Sequence, residues 1–412
     1  MKKRGKYTKF EVNFIDQPDM VSYLNAEMSA EEFLVKLKMI MPEDCKEHET
    51  VVFFDEIQKC PEIVTKIKFL VDEGSYKYVM SGSLLGVELK GIASAPVGYL
   101  TVLRMYPMDF EEFMVANNVS ATTLNMLEDK FKTASPVDEF IHKKLLSMFF
   151  VYLIVGGMPD AVKAYINTKD IREVDKVQRD ITTLYKEDFS QYELEDKKLK
   201  VKSIYEIIPA ELNKQNKKFV FTMLDKELKF NRYENSFLWL KDAGVALPVY
   251  NVDAPVIPLL ASKSSNVFRL FSNDTGLLTS AYPAETKVEL INKNGEVNNG
   301  AHFENAVAQQ LVANGFEPYF CKKQKIGEMD FAIEMNGQVV PIEVKSGKAY
   351  KSRKALDNFM KVPDYHLEKA YVLSIGNVET DGAITYLPIY MCYLLREQKL
   401  EQMIIELDTT GL

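Results

Sequence analysis

Apolar and polar positions alternate over Thr8-Lys9-Phe10-Glu11-Val12-Asn13-Phe14-Ile15, which predicts a half-buried strand across 8–15. A helical pattern follows around 28–40. The unbroken run Val51-Val52-Phe53-Phe54 predicts a fully buried strand over 50–54, and Pro61 opens a helix over 61–73. Tyr76 to Met80 reads as a second buried strand, ended by Ser81-Gly82-Ser83. Val97 to Arg104 reads as a further strand, stopped by Tyr106-Pro107. Strands that alternate with helices predict a parallel sheet of the α/β kind.

From 109 to 190 the pattern turns helical, broken by Gly156-Gly157-Met158-Pro159, a sharp helix-to-helix turn. Residues 197–260 have the order of a winged helix. Helices are expected at 201–212, at 221–228 and from Tyr233 to Ala243, with Gly244 as the stop. Val245 to Asn251 and Val256 to Leu260 would be the wing strands, and the third helix the one that reads DNA. A last α/β unit starts near Gly300. It has a helix from Phe303 to Asn314, strands at 316–321, 328–334 and 339–345, a helix near 352–361 and a strand at 369–374. No internal repeat or low-complexity segment interrupts this order. The division expected is 1–115, 116–195, 196–285 and 286–412.

Composition narrows the reading only a little. The 412 residues are 47% hydrophobic and 27% charged, as in an ordinary globular protein. A net charge of -8 gives no general attraction for nucleic acid, so any DNA contact needs a local basic patch. The cysteines Cys45, Cys60, Cys321 and Cys392 form no close pair, which points away from zinc and towards a reducing, cytoplasmic setting. The basic start Met1-Lys2-Lys3-Arg4 is not followed by the apolar stretch of a signal peptide, and the longest apolar runs are too short to span a bilayer.

Two constellations carry chemistry. The first is Asp55-Glu56 at the end of the apolar strand. P-loop ATPases use such a pair, the Walker B motif: the Asp holds magnesium through water and the Glu polarises the attacking water. Ligands of open α/β sheets bind at this end of the strands. Two solvated acids closing a strand is the plain alternative. Ser83 after the next strand could sense a phosphate, or simply end the strand. Arg104 could act as an arginine finger on a neighbouring subunit, or be an ordinary surface charge. The phosphate-cradling motif Gly-x-x-x-x-Gly-Lys-Ser/Thr is nowhere in the sequence.

The second is Asp330 followed by Glu343-Val344-Lys345. Alternate residues of a strand share a face, so Glu343 and Lys345 point the same way. Asp330 and Glu343 could share a magnesium, with Lys345 beside it and Glu304 completing the acidic set. This is the PD-(D/E)XK nuclease pattern; a salt-bridged sheet face is the alternative. Lys322, Lys323, Lys325, Lys348, Lys351, Arg353 and Lys354 could meet phosphates nearby, as could Lys214, Lys217 and Lys218 in the middle region. For both groups the alternative is a solvated charged face.

Together the segments Phe53-Phe54-Asp55-Glu56-Ile57-Gln58, Ser81-Gly82-Ser83-Leu84-Leu85-Gly86, Leu103-Arg104-Met105-Tyr106-Pro107-Met108-Asp109-Phe110-Glu111-Glu112-Phe113, Tyr152-Leu153-Ile154-Val155-Gly156-Gly157-Met158-Pro159, Gly300-Ala301-His302-Phe303-Glu304-Asn305 and Pro341-Ile342-Glu343-Val344-Lys345-Ser346-Gly347 resemble a family of prokaryotic AAA+-type ATP-binding proteins. The resemblance covers nearly the whole chain. It implies an α/β fold with a P-loop AAA+-like parallel sheet, a helical and winged-helix middle and a C-terminal restriction-endonuclease-like domain. It also implies ATP and magnesium as ligands, Asp55 on the magnesium, Glu56 on the water, Ser83 at the phosphate and Arg104 acting in trans if the chain oligomerises. The family begins with a strand and a P-loop that this sequence lacks. The expectation is therefore a 5′-shortened product with weak or absent ATP hydrolysis, and a gap or a substitute strand beside 76–80. The competing reading is a magnesium-dependent nuclease acting through Asp330, Glu343 and Lys345; a third is a non-catalytic DNA- or protein-binding scaffold.

Overall fold

A computed structural model describes residues 7–24, 28–82, 98–189, 195–214, 219, 234–292 and 299–397. Ser83, Lys217, Lys218 and the helix expected at 221–228 lie outside the described residues. The chain divides into two compact units: Met1–Met105 with Asp242–Gly244, and Tyr106–Lys241 with Val245–Leu412.

The first unit contains β1 (Thr8–Asn13), α1 (Pro18–Leu24), α2 (Ala30–Ile40), β2 (Thr50–Asp55), α3 (Glu62–Glu73) and β3 (Lys77–Met80). Its sheet runs β1-β2-β3, all parallel. A capping box between Ser29 and Glu32 starts α2, and Gly74 at φ +82 ends α3. Val12, Val52 and Phe54 bury against Phe33 and Leu37 of α2 and Ile63 and Ile67 of α3. Phe54 also stacks with Phe14 and Tyr78 from the flanking strands, at 6.1 and 6.3 Å between centroids.

Two expectations are corrected here. The strand at 50–55 is not buried on both faces: Val52 and Phe54 are fully buried, but Val51 and Phe53 are only half-buried. The apolar run reflects strand propensity, while the described helices α2 and α3 pack on one side. Residues 98–104, expected to continue a strand, form none, and Val102 and Leu103 are 72% and 84% exposed. Propensity alone does not make a strand; it needs a neighbour to pair with. Among the described residues β3 pairs with β2 alone.

The second unit is helical first: α4 (Phe110–Ala116), α5 (Ala121–Lys132), α6 (Glu139–Val155), α7 (Pro159–Thr168), α8 (Ile171–Asp188) and α9 (Glu195–Leu212). After α10 (Glu234–Asp242) come β4 (Ala246–Val252), β5 (Lys263–Ser272), α11 (Thr275–Ser280), α12 (Ala284–Asn292) and α13 (Gly300–Ala313). The chain continues with β6 (Tyr319–Lys323), β7 (Gly327–Met335), β8 (Gln338–Lys345), α14 (Lys354–Met360), β9 (Ala370–Ser374), β10 (Glu379–Asp381) and β11 (Ile384–Pro388). Eight strands make one mixed sheet in the order β10-β11-β9-β8-β7-β6-β4-β5. Residues Ala301 to Leu311 of α13 are buried all round, which makes it the central helix of the unit.

The wing is a further correction. The first wing strand exists as β4, but the second, at 256–260, does not. Pro255 precedes it and Pro258 lies within it, neither can donate to a ladder, and Leu259–Ser262 forms a short 3-10 turn instead. The partner of β4 is β5, antiparallel, and the other edge of β4 pairs in parallel with β6. These strands therefore belong to the large sheet and not to a free-standing wing. No helix among the described residues is long and apolar enough to cross a membrane.

Candidate functional site

The first cluster forms where three parallel strands end together. Asp55 is the last residue of β2, Asn13 the last of β1, and Ser81 follows β3. Asn13 Nδ2 donates to Asp55 Oδ2 at 2.9 Å, Ser81 Oγ donates to Asp55 Oδ1, and the Glu56 amide donates to Oδ1 at 3.2 Å. The Asn13 amide cannot turn freely, because its Oδ1 accepts from the Ile15 and Asp16 amides at 2.9 and 3.0 Å. The strand ends are also stitched by backbone bonds, Ser81 N to Phe54 O and Ile57 N to Ser81 O. Asp55 is thus a half-buried carboxylate held by neutral donors at the C-terminal edge of a parallel sheet.

Glu56 takes a left-handed backbone conformation, φ 57 and ψ 45, which costs a non-glycine residue about 1 kcal/mol. Such strain concentrates at functional positions. Gln58 Nε2 donates to Glu56 Oε2 at 2.5 Å. Asn13 and Ser81 were missed in the sequence, where Ser83 was favoured. The signal for both was available: each closes a strand parallel to the one that carries Asp55. Arg104 lies in the exposed, unpaired segment after 98 and not at a strand end.

The second cluster brings together all four residues expected of the nuclease pattern. β7 and β8 are antiparallel with Phe331 opposite Ile342, so Asp330 and Glu343 lie side by side. Lys345 Nζ is 2.7 Å from Glu343 Oε1, and Asp330 Oδ2 accepts from the Val344 amide at 2.9 Å. Glu304 reaches in from α13, 4% exposed. Burial, and then the charge of Asp330, push the Glu343 carboxyl well above its usual range. Its Oε2 is buried without a hydrogen-bond partner among the described residues.

A residue missed in the sequence sits among them. Arg269 of β5 is 1% exposed, with Nη1 3.6 Å from Glu304 Oε2 and 3.9 Å from Asp330 Oδ1. Its Nη2 donates to Glu328, which also pairs with Lys322 at 2.5 Å. The Phe320 ring covers the guanidinium at 4.5 Å. An arginine inside the apolar run Val267-Phe268-Arg269-Leu270-Phe271 was the available signal. The basic patch expected nearby is partly spent on ion pairs: Lys322 on Glu328, Lys351 on Glu379, and Arg353 on Asp357 and Asp381. In the middle region Lys214 likewise pairs with Glu211.

The Gly156-Gly157 turn proves to be a packing joint. A Cβ on Gly157 would lie 2.0 Å from Met108 O, and one on Gly156 would lie 2.2 Å from Asp274 Oδ1. Asp274 is fully buried and caps α11 through the Leu277 amide at 2.8 Å. Burial pushes its carboxyl up to about 6 against the backbone donors that favour the charged form. An open cleft of about 340 Å³ lies between α8, α9 and α11, with the Lys186–Glu206 and Arg179–Asp175 ion pairs at 2.9 and 2.8 Å on its wall.

Comparison with known proteins bears on the first cluster directly. Residues 2–114 match the AAA domain family. The matched stretch contains the whole Asn13–Asp55–Ser81 cluster. Residues 147–288 match a domain of unknown function (DUF8612), and residues 299–392 match another (DUF4143). The chain is also similar to the Walker-type ATPase PABY2304 of Pyrococcus abyssi, at 12% identity over 66% of this chain and 84% of that one, with a TM-score of 0.37. At that TM-score the likeness carries no argument about fold or function. No curated protein matches the chain.

Proposed function

We infer that the first unit supplies the magnesium-facing side of a nucleoside-triphosphate site, with Asp55 as its metal-binding carboxylate. The observation that carries this reading is the anchoring of Asp55 by Asn13 and Ser81 at the C-terminal edge of the sheet. Asn13, Ser81 and the Glu56 amide are neutral donors, and the carboxylate has acceptor capacity left for the water shell of a cation. Magnesium bound there would screen phosphate charge, as it does wherever nucleotides are held by a strand-end aspartate. Glu56, displaced by its left-handed turn, is the residue to polarise a water. Ser83 and Arg104 keep the roles of phosphate sensor and trans-acting arginine within this reading.

The sequence has no Gly-x-x-x-x-Gly-Lys-Ser/Thr, so the backbone amides that cradle phosphates are not supplied by that motif here. Weak nucleotide binding and little hydrolysis are the expected behaviour. Titration of a fluorescent ATP analogue with magnesium, beside Asp55→Ala, tests this. Binding that weakens in the variant supports the site. Binding that is unchanged by Asp55→Ala would place the nucleotide elsewhere and overturn the assignment.

A further inference from the structure

The nuclease pattern in the second unit implies a divalent metal on Glu304, Asp330 and Glu343. The residues present do not fit one. Among the described residues no three His, Cys, Asp or Glu side chains are placed to hold a metal ion. Glu343 Oε2 is the one oxygen described above without a partner, and the oxygens facing it across the cluster are engaged by the chain. Glu304 Oε2 and Asp330 Oδ1 face Arg269 Nη1, Asp330 Oδ2 takes the Val344 amide, and Glu343 Oε1 takes Lys345. A metal within bonding distance of Glu304 and Asp330 would sit against the guanidinium, and the repulsion is large in a buried setting.

Arginine, unlike lysine, cannot leave this position by losing its proton. Nor is the side chain loosely held. It is enclosed to 1% exposure, covered by Phe320 and tied to Glu328 and to the Asp330 backbone oxygen at 3.4 Å. The Asp55 cluster differs in this one respect, since Asn13, Ser81 and the Glu56 amide are neutral.

We propose that Arg269 is the resident cation of the Glu304–Glu328–Asp330–Glu343 cluster, filling the place of a divalent metal and making the cluster a metal-independent ionic core. The C-terminal region then carries the side chains of a metal-dependent nuclease without its metal chemistry. This inference is independent of the nucleotide site, which lies in the other unit.

The test uses the full chain carrying Asp55→Ala, so that the first site does not contribute. Manganese is added, and the free ion is counted by its electron-spin resonance signal. Thermal unfolding is followed in manganese and in EDTA. The expected result is an unfolding midpoint that is the same in both, and manganese uptake unaffected by Asp330→Asn or Glu304→Gln. Arg269→Ala leaves buried carboxylates uncompensated, so it should unfold at lower temperature and regain stability in manganese. Manganese binding by the chain with Arg269 intact, weakened roughly tenfold or more by Asp330→Asn, would overturn the proposal. If Arg269→Ala does not fold, the comparison with Asp330→Asn and Glu304→Gln decides alone.

Discussion

Asp274 Oδ2 accepts the amide hydrogen of Gly157 at 2.6 Å, across 117 positions of chain. Its other oxygen serves the Leu277 amide. One carboxylate therefore ties the α6–α7 turn to the start of α11, and both of its oxygens face donors. Asn at this position would turn an NH2 towards an N–H. Asp274→Asn should cost about 2 kcal/mol or more, read by urea unfolding of the second unit.

The glycines at this joint leave no room for a side chain. Gly157→Ala should destabilise by about 2–3 kcal/mol, because the clash is with the Met108 backbone and not with a side chain that can move aside. Gly156→Ala adds the strain of φ +70 to a clash with Asp274. A thermal midpoint equal to that of the unmodified chain in either variant would sink the idea that the turn is a packing joint.

Two buried groups should leave opposite marks on the pH dependence of stability. Burial raises Asp274 from 3.8 to about 6, so the folded state holds its proton longer than the unfolded state does. The stability this contributes is present at low pH and lost as pH rises through 6. The stability of wild type minus that of Asp274→Asn should fall between about pH 4 and 6. His302 is the reverse: burial lowers it from 6.5 to about 4, so its stability is present above 6.5 and lost as pH falls through 4. Wild type minus His302→Gln should therefore rise over about pH 4 to 6.5. Chemical unfolding at several pH values gives both differences.

At the Asp55 cluster, Asn13→Ala removes a donor to Asp55 and the acceptor for two amides. A loss of about 1 kcal/mol in the stability of the first unit is expected, smaller than a buried loss because the turn amides can reach water. The same variant should weaken binding of the ATP analogue less than Asp55→Ala does. Equal loss in the two would mean that Asn13 itself touches the nucleotide.

The helix caps offer a quieter check. Asp109 accepts from the Glu112 amide at 2.9 Å at the start of α4 and also faces Gln310 Nε2 at 3.2 Å. Asp109→Ala should cost about 1–2 kcal/mol of second-unit stability, measured by urea unfolding. Ser29→Ala, an exposed cap of the same kind in the first unit, should cost less.

What was legible in the sequence was what is local. The strand ending in Asp55, the helix after Pro61 and the Gly156 turn are each written within a dozen residues, where periodicity and caps act. The grouping of Asp330, Glu343 and Lys345 was legible because a hairpin sets its register. Arg269 was not, since it reaches the cluster from β5, 61 positions before Asp330. The stretch up to Arg104 misled for the opposite reason: its residues favour a strand, but a strand is a property of two segments. The wing was misread at Pro255 and Pro258, whose missing donors outweigh the apolar pattern around them.

The parallel pairing of β4 with β6 puts residues from either side of α12 and α13 into one sheet. A boundary drawn near residue 285 does not separate two bodies that fold alone. Expressed without residues 299–412, the stretch from 246 to 272 would be left with a bare β4 edge, the kind of surface that draws chains into aggregates. A single cut between Leu290 and Asn299 is a different matter. The two pieces would still share Tyr250 opposite Tyr319, and Asn305 Oδ1 accepting from the Ser272 amide at 2.8 Å. Cut after folding, they should copurify as a nicked but assembled protein.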